Sequence, residues 1–128
     1  MAHPNADLVM KGFAAFAAGD MATMDQVIAD DAVWHSLGRG IISGDFRGKE
    51  AIFGLFAKVA QEAEIQQDIH ALLADDDHAV ALVKGSATRR GKTLAMDQVF
   101  VFHVAGGKAT EVWVSTADPY AADEFWAE

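Results

Sequence analysis

The side chains able to do chemistry gather on two apolar runs near the end of the chain. Val99 to Val104 and Ala109 to Thr116 flank Ala105-Gly106-Gly107-Lys108, and a glycine pair between β-branched and aromatic runs marks a hairpin. Polar residues interrupt that hairpin at Asp97, Gln98, His103, Glu111, Ser115, Thr116 and Asp118. Asp97 falls inside a strand, where an unpaired carboxylate is costly unless it is used or sits near an edge. Asp118 ends the last strand, and its alternative role is to cap a helix opening at Pro119. His35, beside Trp34 on an earlier apolar run, can titrate near neutrality, or can serve as a satisfied or interface histidine. Carboxylates with an imidazole point to proton transfer. Trp34 and Trp113 can wall a site, and Gln98, Ser115, Thr116 and Tyr120 can orient the polar groups of a ligand. Strand alternation sets a constraint. Trp113 and Asp118 cannot both face inward without a bulge or strand end between them, nor can Trp34 and His35, and we keep His35 with Asp118.

Other chemistries lack their residues. His35, His70, His78 and His103 show neither HxH nor HExxH spacing, so no metal site is expected, and no GxSxG or dinucleotide fingerprint is present. Asp75-Asp76-Asp77 reads as a solvated turn. There is no cysteine, which removes thiolate chemistry and disulfides. The net charge of −9 disfavours nucleic acid and anionic membrane as partners, so an apolar or cationic ligand fits better. With no basic segment followed by an apolar run in MAHPNADLVM, and no apolar stretch near ~20 residues, the expected location is cytoplasmic.

The elements that must position these residues follow from periodicity. The chain has 128 residues, 52% hydrophobic and 23% charged, which suits one globular domain over 1–128. Leu8, Val9, Phe13, Phe16 and Ala17 fall at helical spacing behind a candidate N-cap, Asn5, and ahead of Gly19. Asp20 can cap a second, shorter helix carrying Met21, Met24, Val27 and Ile28. Ala32 to Leu37 reads as a strand and Arg39 to Gly48 as a turn leading into a third helix, whose Ile52, Phe53, Leu55, Phe56 and Val59 give a broad apolar face. Beyond Glu64 the period becomes two, with a strand from Ile65 to Leu73, another over Ala79 to Thr88, and a turn at Arg89-Arg90-Gly91-Lys92. Pro119 opens a last helix that buries Phe125 and Trp126. Helices ahead of a strand meander predict α+β: three helices over the concave face of a curved, mainly antiparallel sheet, a cone whose interior is a pocket. Val99, Phe100, Val101 and Phe102 are apolar on both faces, so that strand lies mid-sheet and has a second apolar surface to cover.

Trp34-His35, the stretch Gly44-Asp45-Phe46-Arg47-Gly48-Lys49-Glu50-Ala51-Ile52, and the tail from Glu111-Val112-Trp113 through Asp118-Pro119-Tyr120 to Phe125-Trp126 together resemble the SnoaL-like branch of the nuclear transport factor 2-like superfamily. The resemblance spans essentially the whole chain. It implies a homodimer formed through the outer sheet face and a cofactor-free site in the cone. It also implies the chemistry of ketosteroid isomerase and polyketide cyclase relatives, in which a buried carboxylate acts as general base opposite a hydrogen-bond donor that stabilises an enolate. On that pattern Asp118 is the first candidate base and Asp97 the second, with His35 as the donor or acid-base partner. Trp34, Gln98, Trp113, Thr116 and Tyr120 would contact a hydrophobic carbonyl substrate. The same pocket also suits binding without turnover, and the outer sheet suits an adaptor. The Asp-Arg-Asp arrangement of epoxide hydrolase relatives has no counterpart, because Arg39, Arg47, Arg89 and Arg90 fall mostly in expected loops.

Overall fold

The computed structural model describes residues 3–128. Helix α1 (Pro4–Ala18) and α2 (Met21–Val27) precede strands β1 (Ile28–Ser36) and β2 (Gly44–Arg47). Helix α3 (Lys49–Glu62) is followed by β3 (Glu64–Ala74), β4 (His78–Arg89), β5 (Lys92–Ala105) and β6 (Lys108–Thr116), and α4 (Pro119–Phe125) ends the chain. One curved six-stranded sheet runs β2-β1-β6-β5-β4-β3. All pairs are antiparallel except β1 with β6, which are parallel. The architecture is the expected α+β one, with β5 inside the sheet between β6 and β4.

Local chemistry explains most boundaries. Gly19 ends α1 in the left-handed conformation at φ 69°, and the Asp20 carboxylate accepts from Thr23 N to start α2. The cap of α1 differs from expectation: His3 is the N-cap, and its Nδ1 accepts from Asn5 N. Asn5 is buried instead, and its Nδ2 donates to the carbonyls of Asp75 and Asp76, tying the start of α1 to the β3–β4 turn. The segment read as a turn before α3 contains the short edge strand β2, which pairs with the end of β1. Its four residues carry too little apolar pattern to be seen without that partner. Arg89, expected in a turn, is the last residue of β4 and its side chain is only 1% exposed. It donates to the carbonyls of Phe125 and Ala127 and through Nε to Glu62, and so clamps the C-terminal segment against α3. Truncating one partner of a buried charged pair of this kind costs on the order of 3 kcal/mol.

Helices α1 to α3 bury one sheet face. Val9 of α1 packs with Ala79, Ala81, Val83, Phe100 and Phe102, while Ile52, Leu55 and Phe56 of α3 pack with Met24, Val27 and Ala32. Phe125 and Trp126 close one end against Ala87 and Met96.

On the opposite face of β1, His35 sits between two carboxylates. Its Nδ1 is 2.7 Å from Asp45 of β2 and its Nε2 is 2.6 Å from Glu111 of β6, while the ring stacks on Trp113 at 5.2 Å between centroids. Hydrogen bonds to Glu111 and then Asp45 raise its pKa above the ordinary 6.5, outweighing the opposing effect of burial. The protonated ring donates to both strands at once, whereas the neutral ring has one N–H to give. A raised folded pKa stabilises fully below the unfolded value, and that contribution disappears as pH rises through the folded one. The stability lost in His35→Gln, measured by urea unfolding, is therefore expected to be larger at pH 6 than at pH 9. An equal loss at both pH values would contradict a doubly paired imidazolium.

Candidate functional site

Between the helices and the sheet lies a partly enclosed cavity of about 180 Å³. Alternation on the strands decides what it sees. Trp34 and Ser36 enter from β1, Met96, Gln98, Phe100 and Phe102 from β5, and Val114 and Thr116 from β6. Phe13 and Phe16 of α1 and Leu55 and Phe56 of α3 form the roof. A bulge between His103 and Val104 in the β5–β6 pairing lets both Ala109 and Val112 face the interior. At one end the loop 37–43 and α4 meet: Ile41 N donates to the Trp126 carbonyl, and Arg39 N donates to Asp123 Oδ1 at 2.7 Å. Gly40 has to be a glycine here, because a Cβ would strike the backbone and Cβ of Trp126.

Four of the expected site residues line the cavity: Trp34, Gln98, Ser115 and Thr116. The others lie elsewhere. Asp118 is exposed and its carboxylate accepts from Ala121 N, so it caps α4. Asp97 is exposed on the outer face of β5. His35 and Trp113 stack together on that same outer face, and Tyr120 is 86% exposed on α4. The pairing of His35 with Asp118 is therefore not what the fold builds. Trp34 takes the inward position on β1, which turns its neighbour His35 outward, and Asp118 lies beyond the last ladder position of β6.

Sequence reading passed over Asp123, Gln67, Ser36 and Ser43, all of which line the cavity. Among the described residues Asp123 is the one ionisable side chain in the lining. Its Oδ1 is engaged by Arg39 N, and its second oxygen makes no other hydrogen bond among the described residues. Gln67 shares the inward period of Ile65 and Ile69, a signal the sequence did carry. Its Nε2 donates to Gln98 Oε1 at 3.1 Å. A second recess of about 200 Å³, between the C-terminal halves of α1 and α3 and the start of β3, shares Phe13, Phe16, Val59, Ile65 and Gln67 with the cavity. No group of three or more His, Cys, Asp or Glu side chains among the described residues is placed to hold a metal ion. No helix of the described residues is long and apolar enough to cross a membrane.

Comparison with known proteins agrees with this architecture. The family description "SnoaL-like domain" matches residues 9–112. An uncharacterized protein of Mycobacterium tuberculosis strain H37Rv is 33% identical over 124 residues, covering 94% of this chain and 95% of its own length. Among solved structures, Bal32a from a soil-derived mobile gene cassette superimposes with a TM-score of 0.92 at 35% identity, over 96% of both chains. A nuclear transport factor 2-like protein of Burkholderia xenovorans LB400 shares the fold with a TM-score of 0.89 at 24% identity, over 96% of this chain and 95% of that one. The chain belongs to the SnoaL-like family, with the nuclear transport factor 2-like fold.

Proposed function

We propose that this protein binds an uncharged, largely apolar small molecule in the cavity between its helices and its sheet. The observation that carries this reading is the lining: Phe13, Phe16, Trp34, Phe56, Phe100 and Phe102 with a few amides and hydroxyls, and Asp123 as the ionisable group. An anionic ligand would lose its hydration there without a counter-charge to replace it, and would face the Asp123 carboxylate. Tetralin, an uncharged hydrocarbon probe, is expected to raise the melting temperature of the native protein and to leave that of Val114→Phe, which fills the cavity, unchanged. Absence of any shift in the native protein would remove the reading.

A second, catalytic reading has one specific support, the carboxylate at the cavity end. As a general base Asp123 would take a proton next to the carbonyl of a bound ketone, the step that the resemblance to ketosteroid isomerase and polyketide cyclase relatives implies. Asp97 and Asp118 are too far into solvent for that role. General-base catalysis contributes roughly 100-fold or more. Deuterium exchange at C2 of 1-tetralone, followed by NMR, is thus expected to slow by about that factor in Asp123→Asn, with affinity for 1-tetralone kept within about twofold. Equal exchange in the two proteins would leave binding alone.

The outer sheet face supports pairing with a second copy. Val80, Val101 and Trp113 sit in one cross-strand row, with Leu82 and Val99 beside it, and no helix of the described residues covers them. Such a row is costly to leave in water at ~25 cal/mol per Å² of apolar surface. Sedimentation at micromolar concentration should give a dimer for the native chain and a monomer for Val101→Glu. A native monomer would rule this pairing out.

A further inference from the structure

We infer that the Gln67–Gln98 amide pair is the ligand-orienting site of the cavity, and that it selects neutral compounds carrying both a carbonyl and a hydroxyl group. This rests on the ligand-binding reading above and adds the class of ligand.

The two glutamines come from strands that are not neighbours. Gln67 is on β3 and Gln98 on β5, with β4 between them, so their backbones are about 10 Å apart across the sheet. Their side chains nevertheless meet, at 3.1 Å from Nε2 of Gln67 to Oε1 of Gln98. Gly85, paired with Gln67 in the ladder, puts no side chain in the way. A Cβ at that position would also collide with the carbonyl of Gln66, so the close approach of β3 and β4 requires the glycine. The pair stands on an otherwise apolar wall formed by Ile65, Leu94, Met96 and Phe100.

A primary amide carries two donor hydrogens and an acceptor oxygen. One mutual hydrogen bond leaves Gln98 Nε2 with its donors and Gln67 Oε1 as an acceptor, and neither has another protein partner among the described residues. Exchanging the O and N positions of both amides leaves the same inventory, one donor end and one acceptor end. Neither end is sealed away: among the described residues, the buried side-chain polar atom without a hydrogen bond is Arg89 Nη2. A ligand carbonyl can accept from the donor end while a ligand hydroxyl donates to the acceptor end. Neither amide carries charge, and Asp123 repels anions, so a carboxylate or phosphate ligand finds no counter-charge here. A purely structural role for the pair, tying β3 to β5, would give no ligand preference.

The test uses four probes of nearly equal size: tetralin, 1-tetralone, 6-hydroxy-1-tetralone and tetralin-6-carboxylate. Binding is read from tryptophan fluorescence, since Trp34 and Trp126 line the cavity. With the native protein, each of the two added neutral groups is expected to tighten binding about threefold to tenfold, and the carboxylate to bind more weakly than tetralin. In Gln67→Leu/Gln98→Leu the order reverses and tetralin binds tightest. Native protein that binds tetralin at least as tightly as 6-hydroxy-1-tetralone overturns the inference and leaves the cavity reading standing. A double variant that keeps the native order overturns it too. If none of the four binds, the cavity reading falls together with this one. The native order is read without any variant, so failure of the double variant to fold does not shelter the claim.

Discussion

Trp34 packs edge-on against Phe56 of α3 at 4.9 Å and against Phe100 of β5 at 6.4 Å, and the placement of the helices over the sheet depends on that contact. The indole belongs to both of the large apolar clusters, one centred on α1 and the sheet, the other on α2, α3 and the start of β1. Edge-to-face rings hold their spacing through quadrupole attraction as well as area burial. Large rings meeting at edges leave space between them. The cavity borders that space, and the chain of ring contacts Phe13–Phe100–Trp34–Phe56 braces its walls.

The same side-chain choice on β1 separates two chemistries. With Trp34 inward, His35 joins Asp45, Glu111 and Trp113 on the outer face, where ionised groups pair with one another in partial contact with water. Among the described residues, the polar side chains of the lining are amides, hydroxyls, two indoles and one carboxylate. The division follows from desolvation. A charge inside would need a partner that the apolar walls do not supply, while on the outer face solvent lowers the cost of keeping three ionisable groups together.

The narrow closing segment is held by polar contacts rather than by helix length. Helix α4 has seven residues, too few to be stable alone, and is secured by Arg89, by the Asp118 cap and by the burial of Phe125 and Trp126. Asp123 then fastens the loop 37–43 to it through Arg39 N. One carboxylate thus both ties the cavity end together and lines it, which makes the closing segment part of the cavity wall.

Much of this architecture was legible in the chain. Helical spacing of Leu8, Val9, Phe13 and Phe16, the Gly-Gly turn before Lys108, the Asp20 and Asp118 caps and the doubly apolar run from Val99 to Phe102 are local patterns, and local patterns survive into the fold because propensity and burial agree there. The inward places of Gln98 and Thr116 also followed from period two once the strand was known. What the chain could not declare alone were facts that depend on distant partners. Whether Trp34 or His35 turns inward depends on which face of β1 the helices cover, and β2 becomes a strand only because β1 offers it a ladder. Arg89 is buried because the C-terminal carbonyls arrive beside it, and Asp123 reaches the cavity because α4 folds back beneath the sheet. Periodicity along one strand says which residues share a face. Which face is the inside was set by packing between segments far apart in the chain, and with it which carboxylate of the described residues lines the cavity.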